Sequence, residues 1–255
     1  MRRYRAAVRA VSRRLVTQED IWFDNDFTQS NADIVLIHHS LCPIESPLNK
    51  HQKTILIDLT HDETALWDDV KRDTRKNIRR AERDAVQVAY VPNCTDEQIS
   101  EFALAYRELE IRKRLPLLDR TRLERLNQKN MLALTIATRA TGESLSWHTY
   151  IIKGLRVRAL NSVSHLKGLA SSQERSFAGR AHRFHVWRDI LFFKDQGLSV
   201  FDNGGYYDGE DPIRRSISVF KEEFGGKICP CYSAIIPKTL RGRVALALRN
   251  AFVRD

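Results

Sequence analysis

Residues 201–227 read FDNGGYYDGEDPIRRSISVFKEEFGGK. Two glycine pairs, Gly204-Gly205 and Gly225-Gly226, bracket a short amphipathic helix that the spacing of apolar residues predicts from Ile213 to Phe224. Glycine lets the backbone approach a ligand closely, because it has no Cβ atom. Lys221 lies on this helix between two aromatic residues. The pattern therefore indicates a cleft with a lysine held at a fixed place.

The elements before this stretch predict a mixed sheet. Period-2 patterns predict an antiparallel meander of three strands, Met131–Arg139, Leu145–Lys153 and Arg156–Ser164. A helix from about Gly179 to Gln196 and a short strand, Leu198–Phe201, follow it. This strand-helix-strand order places the third meander strand parallel to the short strand. The predicted fold class is α/β (α+β), a mostly antiparallel sheet with one parallel strand pair and flanking helices.

The remaining patterns predict further elements and three segments. Predicted elements are the strands Asp33–His38, Thr54–Leu59, Val86–Val91 and Ile228–Ile236, a long basic helix from about Asp62 to Ala85, a helix capped by Thr95 and Gln98, and basic terminal helices at Arg2–Leu15 and Lys238–Asp255. Residues 17–20 are expected to form a break. We predict an N-terminal segment, 1–53, a central domain, 54–237, and a basic amphipathic C-terminal helix, 238–255.

Composition restricts the classes of protein that fit. The chain has 255 residues, 42% of them hydrophobic, which is enough for a globular core. A net charge of +10 favours polyanionic partners, although a soluble basic enzyme with solvated arginines has the same charge. No apolar run approaches the ~20 residues that cross a bilayer, and arginines occupy the place of a signal peptide, so we expect a cytoplasmic protein. The four cysteines lack C-x-x-C spacing, and we expect no metal site.

The order of meander, loop, helix, parallel strand, helix and strand resembles that of GNAT-fold acyltransferases. Two motifs make the resemblance closer, KRDTRKNIRRA at residues 71–81 and FKEEFGG at residues 220–226. They look like motifs of the Fem family, the peptidoglycan aminoacyl transferases. In contrast to typical members, the first GNAT domain is reduced to a remnant before residue 54, and the coiled-coil insertion is absent.

The resemblance implies an N-acyltransferase of cell-envelope biogenesis. Its donor would be an acyl-CoA, an acyl carrier protein or an aminoacyl-tRNA, and its acceptor an amine on a cell-envelope precursor or an amino sugar. Lys221 matches the family's lysine near the transferred acyl group, where an ammonium could stabilise the developing oxyanion. An ordinary exposed lysine on a helix is the alternative. No permanently bound cofactor is implied.

Two residues are candidates for the base that removes the proton from the amine. Asp202 ends a parallel strand, at the edge where ligands of open sheets collect. Its alternative role is to cap the turn at Gly204-Gly205. His165 follows the last meander strand and has a side chain suited to proton transfer near neutrality, although a lone histidine is commonly structural.

Donor and acceptor sites are predicted on either side of this centre. A helix start near Gly179 would bind the donor's phosphates through free backbone amides, helped by two arginines. The predicted donor residues are Arg175, Ser176, Gly179, Arg180 and Ala181, and a solvated loop is the alternative. Tyr206 and Tyr207, with Gly204 and Gly205, could line the acceptor pocket, or the tyrosines could pack structurally.

A different class of function fits the same sequence. A noncatalytic module could use the cleft and the basic helices to bind RNA or anionic lipid. The basic helix at residues 71–83 has no interleaved aromatic residues for stacking on bases, so sequence-specific reading of nucleic acid is not expected. Peripheral contact with an anionic membrane through the terminal helices is a further expectation.

Overall fold

The computed structural model describes residues 16–46, 48–92, 94–113, 117–164 and 171–251. The strands in these ranges are β1 (Gln18–Trp22), β2 (Ile34–Ser40), β3 (Asn49–Asp58), β4 (Gln87–Pro92), β5 (Leu132–Thr138), β6 (Ser144–Lys153), β7 (Arg156–Ser164), β8 (Val200–Tyr206) and β9 (Lys227–Pro237). The helices are α1 (Glu63–Asp69), α2 (Arg72–Arg83), α3 (Asp96–Lys113), α4 (Arg120–Gln128), α5 (Ser172–Asp195), α6 (Pro212–Glu222) and α7 (Leu240–Ala251).

The chain divides into two compact units. The larger unit is Thr54–Ile228, and the smaller one combines the described parts of Met1–Lys53 and Cys229–Asp255. β3 and β9 each run through the boundary between the units. Our division into three segments at residues 53 and 237 remains a prediction.

The larger unit contains the predicted mixed sheet. Its strands follow the order β3-β8-β7-β6-β5-β4. The strands from β4 to β7 pair antiparallel, whereas β7 and β8 pair parallel, so the predicted meander and parallel pair are confirmed. Apolar side chains of α2 and α5 pack against those of the sheet and form the core, which includes Ile78, Phe184, Ile190, Val157 and Phe201.

The smaller unit contains a second parallel pair that the sequence did not predict. β1 pairs parallel with β2, and β2 pairs antiparallel with β9. The break predicted at residues 17–20 is wrong, because β1 begins at Gln18. Its first three residues are polar and only its last two are buried, so the strand has no apolar alternation. Val35, Ile37 and Ala234 lie at the centre of this unit's core.

The long helix predicted from Asp62 to Ala85 is two helices. Val70 has an extended backbone that ends α1, and α2 begins two residues later. The amide of Lys71 donates a hydrogen bond to the carbonyl of Glu223, 2.8 Å away. The helix is therefore interrupted where its backbone contacts the end of α6.

The predicted bounds of α5 are also wrong at one end. This helix begins at Ser172 rather than near Gly179, because Ser171 and Glu174 form a capping box. Ser171 Oγ accepts a hydrogen bond from the Glu174 amide at 3.1 Å. Gly179 and Ala181 consequently lie inside the helix.

Two predictions concern the termini. The helix expected at Arg2–Leu15 lies outside the described residues. The helix expected at Lys238–Asp255 is observed as α7 over its described part. Of the helices in the described ranges, none combines the length and the apolarity needed to cross a lipid bilayer.

Candidate active site

β7 and β8 pair over only three residues before they diverge. Arg156 lies opposite Val200, Val157 opposite Phe201 and Arg158 opposite Asp202. Both strands continue beyond this point, to Ser164 and Tyr206, without further pairing between them. The two strands therefore separate beyond Arg158 and Asp202.

A β-bulge in β7 lies at the divergence. Thr149 of β6 lies opposite Asn161, whereas the next residue, Tyr150, lies opposite Ala159. Leu160 is therefore the extra residue. A bulge bends its strand and increases the local twist, so β7 turns away just where its pairing with β8 ends.

Asp202 holds β3, β7 and β8 together below the divergence. Its carboxylate is fully buried and accepts hydrogen bonds from Arg158 Nη1 at 2.6 Å and from Arg156. The Thr54 hydroxyl also donates to this carboxylate, and it accepts a hydrogen bond from Arg158 at 2.8 Å. The guanidinium groups of Arg156 and Arg158 are themselves buried. One carboxylate thus contacts two buried cations directly.

This environment does not suit Asp202 for the role of base. Burial alone would raise the pKa of Asp202, but the charges of Arg158 and Arg156 and the hydrogen bonds from Arg158 and Thr54 hold it well below its usual value. A carboxylate that binds protons so weakly does not take one from an amine near neutral pH. Asp202 does cap the glycine turn, the alternative role, since it accepts a hydrogen bond from the Gly204 amide at 2.9 Å.

Lys221 lies at the point where the two strands diverge. Its Nζ atom donates a hydrogen bond to the carbonyl of Gly205, 2.9 Å away. A Cβ atom on Gly204 would lie 3.0 Å from Lys221 Nζ and 3.2 Å from the carbonyl oxygen of Ala159 on β7. The ammonium is therefore close to the backbone of both strands.

The charge state of Lys221 reflects this confined position. Burial and then the charge of Arg158 lower the pKa of the Lys221 ammonium, and Asp202 acts in the opposite direction, which together give a pKa of about 8. At pH 7 most of the population is therefore protonated, and the side chain is partly buried. Such a cation is suited to bind an oxyanion.

The two glycine pairs have different tasks. Gly204 has φ +84° and leaves room for the Lys221 ammonium, so the first pair belongs to the candidate site. In the second pair, a Cβ atom on Gly225 would lie 2.7 Å from Asp69 Cβ, and one on Gly226 would lie 2.6 Å from the Leu56 carbonyl. The second pair therefore lets the chain pass tightly along α1 and β3, rather than along a ligand.

The residues predicted to bind the donor separate into two groups. Ser176 and Arg180 line a pocket of about 760 Å³ at the first turns of α5, together with Arg80, Arg139, Ser172, Gln173, Glu174 and Phe177. Gly179 and Ala181 do not line it. Ala181 is fully buried in the core, and a Cβ atom on Gly179 would meet only Arg183, at 3.7 Å. The free amides expected at residues 176–181 are absent because these residues lie within α5.

Three arginines give this pocket its charge. Arg180 contacts Asp84 at 3.1 Å and Ser176 Oγ at 3.0 Å, and Arg139 contacts Glu143 at 2.7 Å. No ion pair of Arg80 is present within the described part of the chain. The pocket is thus suited to an anion through side chains. Arg175 is exposed on the first turn of α5, and Lys221 does not line the pocket.

The two tyrosines after the glycine pair differ in their surroundings. A hydrogen bond with Glu222, next to Lys221, raises the pKa of Tyr206. Tyr207 packs on the start of α6, where its hydroxyl accepts a hydrogen bond from the Asp211 amide at 3.3 Å and Arg214 covers its ring. The structural alternative fits Tyr207, whereas Tyr206 lies beside the candidate site.

His165 lies outside the described residues, and its role stays a prediction.

A group of buried polar residues that sequence reasoning missed includes His148, His185 and Asp189, whose ligand atoms lie within 4.8 Å of one another. His185 is fully buried. A signal was present, because His182, His185 and Asp189 have the i, i+3, i+7 spacing of one helix face.

These three residues do not form a metal site. The rings of His148 and His185 stack 3.7 Å apart with an interplanar angle of 10°. A metal ion lies close to the plane of each imidazole that binds it, and one ion cannot lie in two parallel planes this far apart. Both His185 nitrogens are also hydrogen-bonded, to Thr135 Oγ1 at 2.8 Å and to Ser146 Oγ at 2.7 Å.

Comparisons with known proteins agree with the fold. No family model and no curated protein matches the sequence. A crystal structure of FemX is similar with a TM-score of 0.60 and 12% identity, over 85% of this chain and 75% of that chain. L-PGS from Bacillus licheniformis is similar with a TM-score of 0.50 and 13% identity, over 84% and 71%. The predicted Fem-like GNAT fold is thereby confirmed as a fold.

Proposed function

We propose that this protein is an N-acyltransferase that moves an acyl or aminoacyl group from a carrier to an amine on a cell-envelope precursor or an amino sugar. The observation that carries the proposal is the position of Lys221, whose ammonium lies where β7 and β8 cease to pair. The fold shared with FemX supports the same class of reaction.

The reaction would proceed by direct attack in a complex of donor, acceptor and enzyme. The amine nitrogen forms a bond with the acyl carbon, and the carbonyl oxygen gains negative charge. The Lys221 ammonium, already partly freed from water, would stabilise that charge. The bond to the carrier's sulfur or oxygen then breaks, and the carrier leaves with the electron pair.

The donor's phosphates would bind in the pocket at the first turns of α5. Arg80, Arg139 and Arg180 would contact them, together with Ser176. Ser176 and Arg180 are two of the predicted donor residues. Guanidinium groups, rather than helix amides, would bind the phosphates in this assignment. Acyl-CoA, acyl carrier protein and aminoacyl-tRNA all carry phosphates, so the pocket fits each of these donors.

Mass spectrometry of the acceptor tests this function. The purified protein is incubated with acetyl-CoA or with a pool of aminoacyl-tRNAs, and with glucosamine or a lysine-containing peptide as the amine. We expect an acylated acceptor and a rate at least ~100-fold lower for Lys221→Ala, the usual loss when one oxyanion donor is removed. Lys153→Ala, which changes an exposed lysine at the end of β6, is the matched control.

Two outcomes would overturn the proposal. Transfer that is undiminished in Lys221→Ala would remove the lysine from the mechanism. Tight binding of RNA or of anionic vesicles with no consumption of either donor would favour the noncatalytic module, for which the exposed arginines of α2 are the supporting observation. A cytoplasmic location remains a prediction. Peripheral membrane contact is also a prediction, and liposome sedimentation at low and high salt would test it.

A further inference from the structure

Inside the larger unit, a buried carboxylate of α5 pairs with a histidine of β6. Asp189 of α5 is fully buried, and its Oδ2 atom lies 2.7 Å from His148 Nδ1. The Tyr150 hydroxyl donates a hydrogen bond to the same oxygen at 2.5 Å. Burial first, and then the charge of Asp189, raise the pKa of Tyr150 well above its usual value, so the phenol keeps its proton.

These contacts determine which nitrogen of His148 carries a proton. A carboxylate accepts hydrogen bonds, so the Nδ1 atom of His148 is the donor in this pair. The Nε2 atom is then left with a lone pair. It is buried and has no hydrogen-bond partner among the described residues. A buried nitrogen without a partner costs free energy, which makes it a feature that packing alone does not explain.

His182 connects this pair with the surface. Its ring centroid lies 5.0 Å from that of His148. Its Nε2 atom lies 3.0 Å from the hydroxyl oxygen of Ser162, an exposed residue of β7. The other side of the ring stacks on Phe220 of α6, with centroids 4.8 Å apart and an interplanar angle of 16°.

The contacts of His182 place it at the divergence of the strands. Ser162 lies in the part of β7 that does not pair with β8, and Phe220 immediately precedes Lys221. His182 therefore contacts Ser162 in the unpaired part of β7 and Phe220, the residue before Lys221. A row of polar groups thus leads from the surface to a buried carboxylate. In order, its members are Ser162, His182, His148 and Asp189.

We propose that Ser162 and His182 receive the proton of the attacking amine and that His148 and Asp189 are positioning residues behind them. This inference rests on the proposed function. As the nitrogen–carbon bond forms, the Ser162 hydroxyl takes the amine proton and passes its own proton to His182 Nε2. When the bond to the carrier breaks, the proton returns from His182 to the departing sulfur or oxygen. Protons and electron pairs balance without another reactant.

The charges around His182 are consistent with a transient imidazolium. His148 and Tyr150 approach from β6, His185 and Asp189 lie on α5 itself, and Lys221 follows the Phe220 contact on α6. Burial, and then the charges of His148 and His182, lower the pKa of His185 well below its usual value, so His185 stays neutral. Asp189 is the one anion of this group, and it lies behind His148.

The first experiment compares rate profiles of variants. We expect His182→Gln to lower kcat about 100-fold with little change in KM, a common loss when a proton acceptor is removed. Ser162→Ala should have a smaller effect in the same direction. Asp189→Asn should lower kcat and move the acid limb of the kcat profile to lower pH, because the carboxylate no longer favours the charged imidazole. His61→Gln, at an exposed histidine, is the matched control.

The second experiment does not depend on turnover. In the ¹⁵N-labelled full chain, NMR of the imidazole nitrogens should show His148 with its proton on Nδ1, and the His148 signals should shift in His182→Gln. Loss of transfer in Lys221→Ala with full transfer and an unchanged pH profile in His182→Gln would overturn the proton route and leave the proposed function intact. Absence of transfer by every donor would overturn the proposed function. The proton route would then fall with it, whether or not the His148 signals shift in His182→Gln.

Discussion

The two halves of β7 have opposite relations to β8. Residues 156–158 pair with β8, and their two arginines share the buried carboxylate of Asp202. Residues 159–164 have no pairing with β8, and the Lys221 ammonium lies beside the first of them. β7 is therefore paired with β8 at its N-terminal end and separated from β8 at its C-terminal end.

The cations near the two halves of β7 also have different partners. In the paired half, both buried cations contact one anion directly, the carboxylate of Asp202. At the divergence, the cation has a backbone carbonyl as its partner and a pKa lowered to about 8. The first arrangement is suited to stability, and the second to binding a charge that appears during a reaction.

The largest expected effect comes from breaking the paired half. Asp202→Asn removes the charge of the carboxylate that two buried guanidinium groups contact, and we expect the free energy of unfolding to fall by about 3–5 kcal/mol. Denaturation by urea at pH 7 measures this loss. Asp195→Asn, at an exposed carboxylate at the end of α5, should change the value by less than about 0.5 kcal/mol.

The same carboxylate predicts how stability depends on pH. The folded pKa of Asp202 lies below that of the unfolded chain, so its stabilising contribution is complete above about pH 4. The contribution is lost as the pH falls toward the folded pKa. Equal acid sensitivity in wild type and Asp202→Asn would contradict the ion-paired state of this carboxylate.

A smaller effect is expected from a methyl group at the divergence. Gly204→Ala places a Cβ atom 3.0 Å from Lys221 Nζ at a backbone φ of +84°, so we expect a loss of about 1–3 kcal/mol in unfolding free energy and a displaced ammonium. Acyl transfer should fall more than about tenfold. Gly205→Ala adds a methyl group that meets nothing within 4 Å, so it should lower the unfolding free energy less than Gly204→Ala does.

A second control separates strain from crowding. Gly142 has a φ of +88°, and a Cβ atom there also meets nothing within 4 Å. Gly142→Ala should therefore lose stability by backbone strain alone and retain transfer. Equal loss of transfer in Gly142→Ala and Gly204→Ala would show that the position of the ammonium does not matter.

Local patterns were sufficient to predict the sheet of the larger unit. The strands β5, β6 and β7 have a period of two, and the helix between β7 and β8 requires a crossover, so their directions follow. The start of α5 was also encoded, by the Ser171 and Glu174 capping box, although the polar residues around it were interpreted as a loop.

Contacts between distant residues were not accessible in this way. The break between α1 and α2 depends on a hydrogen bond from Lys71 to Glu223, which is more than a hundred residues away. Asp202 was interpreted as a base because its strand position was visible and its arginine partners were not. Two arginines at alternate positions of β7 indicate one shared face, but their common partner follows only from the packing of three strands.

The central claim, that the Lys221 ammonium is held in a partly buried position at the divergence of β7 and β8, is tested most directly by its titration. NMR of the ¹³C-labelled lysine side chains, with Lys221 assigned by the Lys221→Arg variant, gives the midpoint for this residue alone. The structure predicts a pKa of about 8. A midpoint near 10.4, the ordinary value for a solvated lysine, would contradict it.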